Sequence, residues 1–259
     1  MVVIITGATS GIGEETAKLY AKEGHVVYSL ARRIKDLPGI NYLKCDLTNK
    51  ESISNSINQI VQKEGHIDVL INNAGMGISG AFEYHEKEEI EQLISVNING
   101  LLEISRLCIP YLRKSKGIII NISSVAGIIT IPFQTMYSLS KSAVISFSEG
   151  LRNELRPMNV RVSAILPGDT KTGFTDARIK SKDQNEYGER IKNSVSRMEK
   201  DERKGASPNK VANVILKVSK KKNPNTYYVV GFSYKILILL ARILPKRLVS
   251  YIIYKIYAK

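Results

Sequence analysis

Tyr137 and Lys141 stand four residues apart, preceded by Ser124, and all three lie downstream of the turn Thr6-Gly-Ala-Thr-Ser-Gly-Ile-Gly13. Residues four apart share one face of a helix, so a phenol and an ammonium there can reach the same ligand. A free phenol has a pKa of about 10, which makes it a poor base at neutral pH. A neighbouring ammonium favours the phenolate and lowers that value. A tyrosine placed this way can give a proton to a developing alkoxide or take one from an alcohol. A serine hydroxyl on the same oxygen would stabilise the charge that grows there. The Tyr/Lys spacing and the glycine turn are each common; in this order they read as a carbonyl-handling group joined to a dinucleotide cradle.

The cradle follows from its residues. A β-branched run at 2–5 leads into Gly7, Gly11 and Gly13, and an apolar helical pattern starts at Ile12 and continues through Ala17, Leu19 and Tyr20. That is strand, tight turn, helix. Glycines let a pyrophosphate approach the backbone without meeting side chains, and the helix N-terminus offers it free N–H groups. The spacing is Gly-x-x-x-Gly-x-Gly rather than the common Gly-x-Gly-x-x-Gly. Arg32 and Arg33 follow the second strand, where an NAD-specific site would place a carboxylate on the adenosine ribose. Two guanidiniums there suit a 2′-phosphate, so NADP(H) is preferred over NAD(H); the alternative is a pair of solvated loop arginines.

These side chains need a scaffold, and the punctuation of the chain predicts one. Short apolar runs near 2–6, 25–30, 40–44, 67–71, 117–123, 159–166 and 226–231 alternate with helical stretches. The expected fold is α/β: a single doubly wound, Rossmann-type domain with a parallel sheet of about seven strands and helices on both faces. The near-continuous apolar runs at 69–71 and 117–122 suit strands covered on both sides. Ligands in such sheets lie at the carboxyl ends of the strands, so residues just past each strand are the candidates.

Over residues 1–231 the chain resembles the short-chain dehydrogenase/reductase family in its form of about 250 residues. The motifs in order are the glycine turn, Asp46 after the third strand, and Asn72-Asn73-Ala74-Gly75 after the fourth. Then come Asn97 in the Val-Asn-Ile-Asn of a long helix, Ser123-Ser124, Tyr137-x-x-x-Lys141, and Pro167-Gly168 with Thr170 and Thr172. The resemblance implies a catalytic set of Asn97, Ser124, Tyr137 and Lys141, with Ser124 chosen over Ser123 by its distance to Tyr137. It implies that Asn97 holds a water linking Lys141 to solvent, and that Lys141 also grips the nicotinamide ribose. It implies cofactor contacts from Gly7, Thr9, Ser10, Gly11, Ile12, Gly13, Arg32, Arg33, Asp46 and Leu47. Asp46 would meet the adenine amino group, and Asn73, Ala74 and Gly75 would form the wall beside the adenine ribose. Further contacts are expected from Tyr137, Lys141, Pro167, Gly168, Thr170 and Thr172, the two threonines meeting the nicotinamide carboxamide and the phosphates.

Composition bounds the remainder. A length of 259 residues suits one large α/β domain. Cys45 and Cys108 are far apart and lack metal-ligand spacing, which points to reduced core thiols and a cytoplasmic protein. His25, His66 and His85 form no cluster, and no metal site is expected. The first strand begins at Val2, leaving no room for a signal peptide. A net charge of +14 suits anionic membranes or acidic substrates; without a recognition motif or stacking platform, nucleic acid is not an expected partner.

The segment 233–259 follows the expected 1–232 domain. It reads as two apolar, basic helices broken at Pro245, with no acidic residue. Neither half supplies the roughly 20 uninterrupted apolar residues of a spanning helix. Arg242, Lys246, Arg247 and Lys255 would need a surface. Three readings stay open: attachment to a cytosolic membrane face, a cover over the substrate pocket, or a subunit interface. The stretch 173–205, rich in mixed charge including Arg178, Lys180, Lys182, Glu186 and Arg190, reads as a mobile substrate flap. The expectation is an NADP(H)-dependent oxidoreductase interconverting a ketone or aldehyde and its alcohol. Its small-molecule substrate would be apolar: steroid-like, retinoid-like, long-chain acyl or sphingoid. The family likeness implies a homodimer or homotetramer built on the helices carrying Asn97 and Tyr137. The rival is a non-catalytic NADPH-binding sensor or membrane-docking protein of the same fold.

Overall fold

The computed structural model describes residues 1–182 and 185–259. Its strands are β1 (Val2–Thr6), β2 (Val26–Ala31), β3 (Ile40–Lys44), β4 (Val69–Asn72), β5 (Ile78–Ser79), β6 (Ile118–Ile122), β7 (Arg161–Pro167), β8 (Ile179–Lys180) and β9 (Tyr227–Val230). The helices are α1 (Gly11–Lys22), α2 (Lys50–Glu64), α3 (Lys87–Ile94), α4 (Gly100–Ser115), α5 (Thr135–Leu155), α6 (Arg190–Arg203), α7 (Pro208–Ser219), α8 (Phe232–Ile243) and α9 (Lys246–Tyr257). Seven strands form one parallel sheet in the order β3-β2-β1-β4-β6-β7-β9. The strand order reverses direction between β1 and β4, which opens a crevice at their carboxyl ends.

Alternation along each strand divides the core into two layers. Val2, Ile4, Leu70 and Ile119 pack with Ile53 and Ile57 of α2, Ile104 and Leu112 of α4 and Leu151 and Leu155 of α5. Their neighbours Val3, Ile5, Ile71 and Ile120 face the other way, onto Ala17 and Tyr20 of α1 and Val211 and Ile215 of α7. Side chains on successive strand residues point to opposite faces, so a strand apolar at every position must be covered twice. Helix ends follow local rules. Asn49 caps α2 by accepting from the Ser52 N–H at 2.8 Å, and Gly65 ends that helix in the left-handed region.

Polar side chains fix the register at the centre of the sheet. Asn72 and Asn121 are paired across β4 and β6. Asn72 Nδ2 donates to Asn121 Oδ1 at 2.8 Å and to Ser105 Oγ of α4 at 2.9 Å. Asn121 Nδ2 donates to Ser148 Oγ of α5 at 2.9 Å. All four residues are buried, so the chain ties two strands and two helices together one layer beneath the crevice.

Each of the seven expected strands is present within two residues of its predicted bounds, and the tail forms two helices on either side of Pro245. Two features differ from the sequence reading. The pair β5 and β8, two residues each, binds the 173–205 stretch to the body through Ile78 and Ile179. Such a strand is too short to show periodicity. Asn97 lies not in a continuous α-helix but in a π-helical segment, Ser95–Asn99, between α3 and α4. Replacing Asn121 by Ala leaves the Asn72 amide and the Ser148 hydroxyl without their buried partner. We expect a loss of about 1–3 kcal/mol of stability, read as a lower urea midpoint at unchanged slope.

Candidate active site

The glycine turn sits where β1 meets α1. Gly7 and Gly11 have φ of 69° and 57°, a left-handed backbone that side chains resist. Gly13 is required for a different reason: a Cβ there would lie 2.4 Å from Asn73 Nδ2 and 2.5 Å from the Gly7 carbonyl. That closeness has a function in the fold, because Asn73 Nδ2 donates to the Thr6 and Gly7 carbonyls at 3.0 and 3.1 Å. Thr6 Oγ1 in turn accepts from the Asn73 and Ala74 N–H groups, both at 3.0 Å. The loop after β4 is thereby fastened to the turn after β1. Ser10, at the N-cap of α1, makes no side-chain capping bond, and Thr9 and Ile12 are half-buried beside it.

The Ser124, Tyr137 and Lys141 side chains converge at the carboxyl ends of β6 and β7. Lys141 is 5% exposed, and its Nζ donates to the Ile122 carbonyl at 3.0 Å. Ser123 Oγ holds the same residue's backbone, donating to the Lys141 carbonyl at 2.7 Å. Lys141 Nζ lies 5.7 Å from the centre of the Tyr137 ring. Ser124 caps the 3-10 turn Val125–Gly127 by accepting from the Ala126 N–H, and its side chain interacts with the Tyr137 hydroxyl. Thus Ser123 and Ser124 divide their tasks: one secures α5 against β6, the other faces the phenol.

Asn97 reaches this group through backbone and serine. Its Nδ2 donates to the Met76 carbonyl at 2.9 Å and to Ser140 Oγ at 3.0 Å, and its Oδ1 accepts from the Met76 N–H at 2.8 Å. Ser140 Oγ donates to the Tyr137 carbonyl at 2.7 Å. Gly75 keeps the space between them open, since a Cβ there would be 3.3 Å from Asn97 Oδ1 and 3.4 Å from Lys141 Nζ.

Burial dominates the electrostatics. It pushes Tyr137 up to about 12, against the opposing pull of the Ser124 hydrogen bond. Burial likewise lowers Lys141 to about 8, because an ammonium loses its hydration there. The protein's own groups keep the phenol protonated at neutral pH, with desolvation outweighing the local charges.

The remaining candidates line the same edge. Asp46 accepts from the Thr48 N–H and hydroxyl, and the Thr48 backbone bond is the main cause that holds its carboxyl below the usual range. Leu47 packs on Gly100 at the start of α4. Arg32 and Arg33 are exposed at the end of β2, with no carboxylate in ion-pair distance among the described residues. Thr170 donates to the Gly168 carbonyl at 2.9 Å, and Thr172 packs against Gly11, which brings the loop after β7 to the glycine turn. Pro167 closes β7. Among the described residues, no group of three His, Cys, Asp or Glu is placed to hold a metal ion.

Arg178 reads in sequence as one more surface charge of the flap, yet its side chain is 1% exposed and paired with Glu202 of α6. It stacks 5.9 Å from the Phe174 ring centre, and Phe174 packs 5.6 Å from Tyr137. Its Nη1 has no hydrogen-bond partner among the described residues. A charge is buried only when a partner is buried with it, and Glu202 is remote in sequence. A basic cleft of about 430 Å³ at the opposite end of the strands, lined by Lys116, Arg152, Arg156 and Arg161, is a different structure. There Arg152 and Arg161 donate to the Val162 and Ser219 carbonyls and close the sheet's lower edge.

The tail packs beside the site. A Cβ on Gly168 would fall 2.1 Å from the Tyr234 ring, and the Tyr234 hydroxyl bonds the Asp169 carboxylate. Ile238 of α8 and Ile253 of α9 pack with Val125 and Ile129, just past Ser124. The end of α9 is clasped by α6: Arg190 Nε donates to the Ala258 carbonyl at 2.8 Å and Arg197 to that of Ile256 at 3.1 Å.

This geometry has relatives. A family model described as short chain dehydrogenase matches residues 1–183. A 3-ketodihydrosphingosine reductase of Bacteroides thetaiotaomicron is 42% identical over 228 residues, covering 86% of this chain and 85% of its own length. A short-chain dehydrogenase from Streptomyces avermitilis superposes with a TM-score of 0.84 at 26% identity, over 93% of this chain and 91% of the other. A serine dehydrogenase solved in its closed form with NADP+ superposes with a TM-score of 0.76 at 26% identity, over 89% and 94%.

The buried ammonium sets a pH signature. With Lys141 lowered to about 8 in the folded protein against 10.5 in the free side chain, the unfolded state binds more protons between those values. Its contribution therefore destabilises the fold below pH 8 and fades as pH rises to 10.5. Replacing Lys141 by Met removes a cost on the order of 3 kcal/mol. The stability difference between variant and parent, from urea midpoints at pH 7 and pH 10, should shrink at the higher pH.

Proposed function

The chain belongs to the short-chain dehydrogenase family, and on that premise we propose that it is an NADP(H)-dependent reductase of long-chain ketones, of the sphingoid type. As a member of that family it is an oxidoreductase acting on carbonyl and alcohol groups. The observation that carries the finer reading is the convergence of Ser124, Tyr137 and Lys141 beside the apolar packing of the tail.

The cradle fits a dinucleotide. Gly7 and Gly11 provide a left-handed backbone without Cβ atoms next to the α1 N-terminus, which would hold the diphosphate. Arg32 and Arg33 would take the 2′-phosphate, Asp46 and Leu47 the adenine, and residues 73–75 the ribose wall. Pro167, Gly168, Thr170 and Thr172 would meet the nicotinamide end. When bound, the nicotinamide supplies the hydride. Tyr137, protonated at neutral pH, gives its proton to the carbonyl oxygen as that oxygen becomes an alcohol. Ser124 donates to the same oxygen and stabilises its developing charge. Lys141 holds the ribose and favours renewed proton supply to Tyr137, while Asn97 is a positioning residue acting through Ser140 and Met76.

Tyr137, raised by burial to about 12, is an acid at neutral pH and can serve as the proton donor that ketone reduction needs. The substrate class is supported by the name and coverage of the Bacteroides relative and by the apolar packing of α8 and α9 on Val125 and Ile129 beside Ser124. The family's subunit contacts would use α4 and α5, where Leu102 and Leu139 are exposed.

Two experiments test the reading. Tyr137→Phe should cut ketone-dependent NADPH oxidation by about 10²–10⁴-fold while leaving NADPH binding in place; parent-level activity in the variant would remove Tyr137 as the proton donor, and NADPH binding without any ketone-dependent oxidation in the parent would support the non-catalytic sensor. Arg32→Ala with Arg33→Ala should raise KM for NADPH at least about tenfold through lost charge-assisted bonds and leave KM for NADH unchanged. Equal changes for both cofactors would assign these arginines to the loop surface instead.

A further inference from the structure

Each tail helix has two apolar faces, and the fold uses one. On α8 the inner stripe is Tyr234, Ile238 and Ala241, and on α9 it is Val249, Ile253 and Tyr257. On α8 a second stripe, Phe232, Ile236, Leu239 and Ile243, repeats at helical spacing about 180° from the first. Phe232 is 78% and Ile243 71% exposed, and Leu239 and Ile236 are exposed with them. On α9 the side turned away from the body adds Leu248, Tyr251 and Ile252. Soluble surfaces rarely leave so many large apolar side chains contiguous and uncovered.

The charge around this surface selects its occupant. Residues 232–259 hold six cations, Lys235, Arg242, Lys246, Arg247, Lys255 and Lys259, and no carboxylate side chain. A second copy of the tail would bring six like charges against six and no counter-charge. An anionic lipid surface accepts both features, taking apolar side chains to the level of the acyl chains and cations among the headgroups. At 12 residues each, α8 and α9 are about 18 Å long, and among the described residues no helix is long and apolar enough to cross a membrane. Such helices lie in the interface plane.

We propose that the outer face of α8 and α9 docks this protein on anionic membranes. Because their inner face rests on Val125 and Ile129 beside Ser124 and on α6 of the flap, docking places that side of the active site against the lipid. A long-chain ketone could then pass between bilayer and site without crossing water. That last consequence rests on the proposed function, whereas docking itself does not.

The test is co-sedimentation of the full chain with phosphatidylcholine vesicles, with and without phosphatidylglycerol, at low and high salt. The expected result is binding to the anionic vesicles that falls at least about tenfold when phosphatidylglycerol is omitted. Leu239→Glu with Ile243→Glu should abolish it, while turnover of a short water-soluble ketone stays at the parent level. Lys246→Glu with Arg247→Glu should lose the preference for anionic lipid. Absence of vesicle binding overturns the proposal, as does binding that survives both double variants. A monodisperse dimer that dissociates in the Leu239/Ile243 variant without any vesicle binding assigns the face to a second copy. Loss of soluble-ketone turnover in the parent would count against the enzyme reading and leave docking standing.

Discussion

A lysine ammonium carried under the carboxyl edge of the sheet, with the Ile122 carbonyl as its hydrogen-bond acceptor, constrains everything around it. An ammonium stripped of water is costly unless its surroundings fix it in place. Here β6 must end at Ile122 and α5 must pass close beneath it. Ser123 locks the two together from its hydroxyl to the Lys141 carbonyl. Gly127 allows the turn after Ser124 to lie on the same stretch of helix, since a Cβ would fall 2.8 Å from the Lys141 carbonyl carbon. The burial that lowers Lys141 is the burial that raises Tyr137, so the pair's acid and base strengths are set by one feature of the packing.

Two polar systems hold that packing in register. Asn72, Asn121, Ser105 and Ser148 tie the central strands to α4 and α5 from within. Thr6, Asn73 and Gly13 tie the two loops that flank the crevice from above. A buried amide has donors and acceptors to satisfy, and satisfying them in one arrangement excludes a shifted strand. The apolar core gives cohesion, while these side chains decide which residues stand opposite each other at the edge where Ser124 and Tyr137 meet.

The chain beyond β9 uses the same edge differently. Tyr234 fills the space that Gly168 leaves, and the end of α9 is held by two arginines of α6. Flap, tail and the loop after Ser124 thus pack against one another through Tyr257. A flap read from its charges looks loose, but Arg178 and Glu202 turn inward together and β8 joins it to β5. On its inner side Phe174 packs against Tyr137, and Ile191 shares a cluster with Phe133.

The sequence by itself determined the seven-stranded parallel sheet, the glycine turn, the order of motifs and the break at Pro245. Each depends on contacts within a few residues or on a period that the chain displays directly. Tertiary structure decided what depends on partners far apart in the chain. Asn97 could be placed by its motif, yet its bonds to Met76 and Ser140 across a π-helical segment could not. Arg178 required Glu202, 24 positions away, before burial became possible. The Tyr137 proton belongs to the same class: the desolvation that raises the phenol exists only once sheet, flap and helix have closed around the ring.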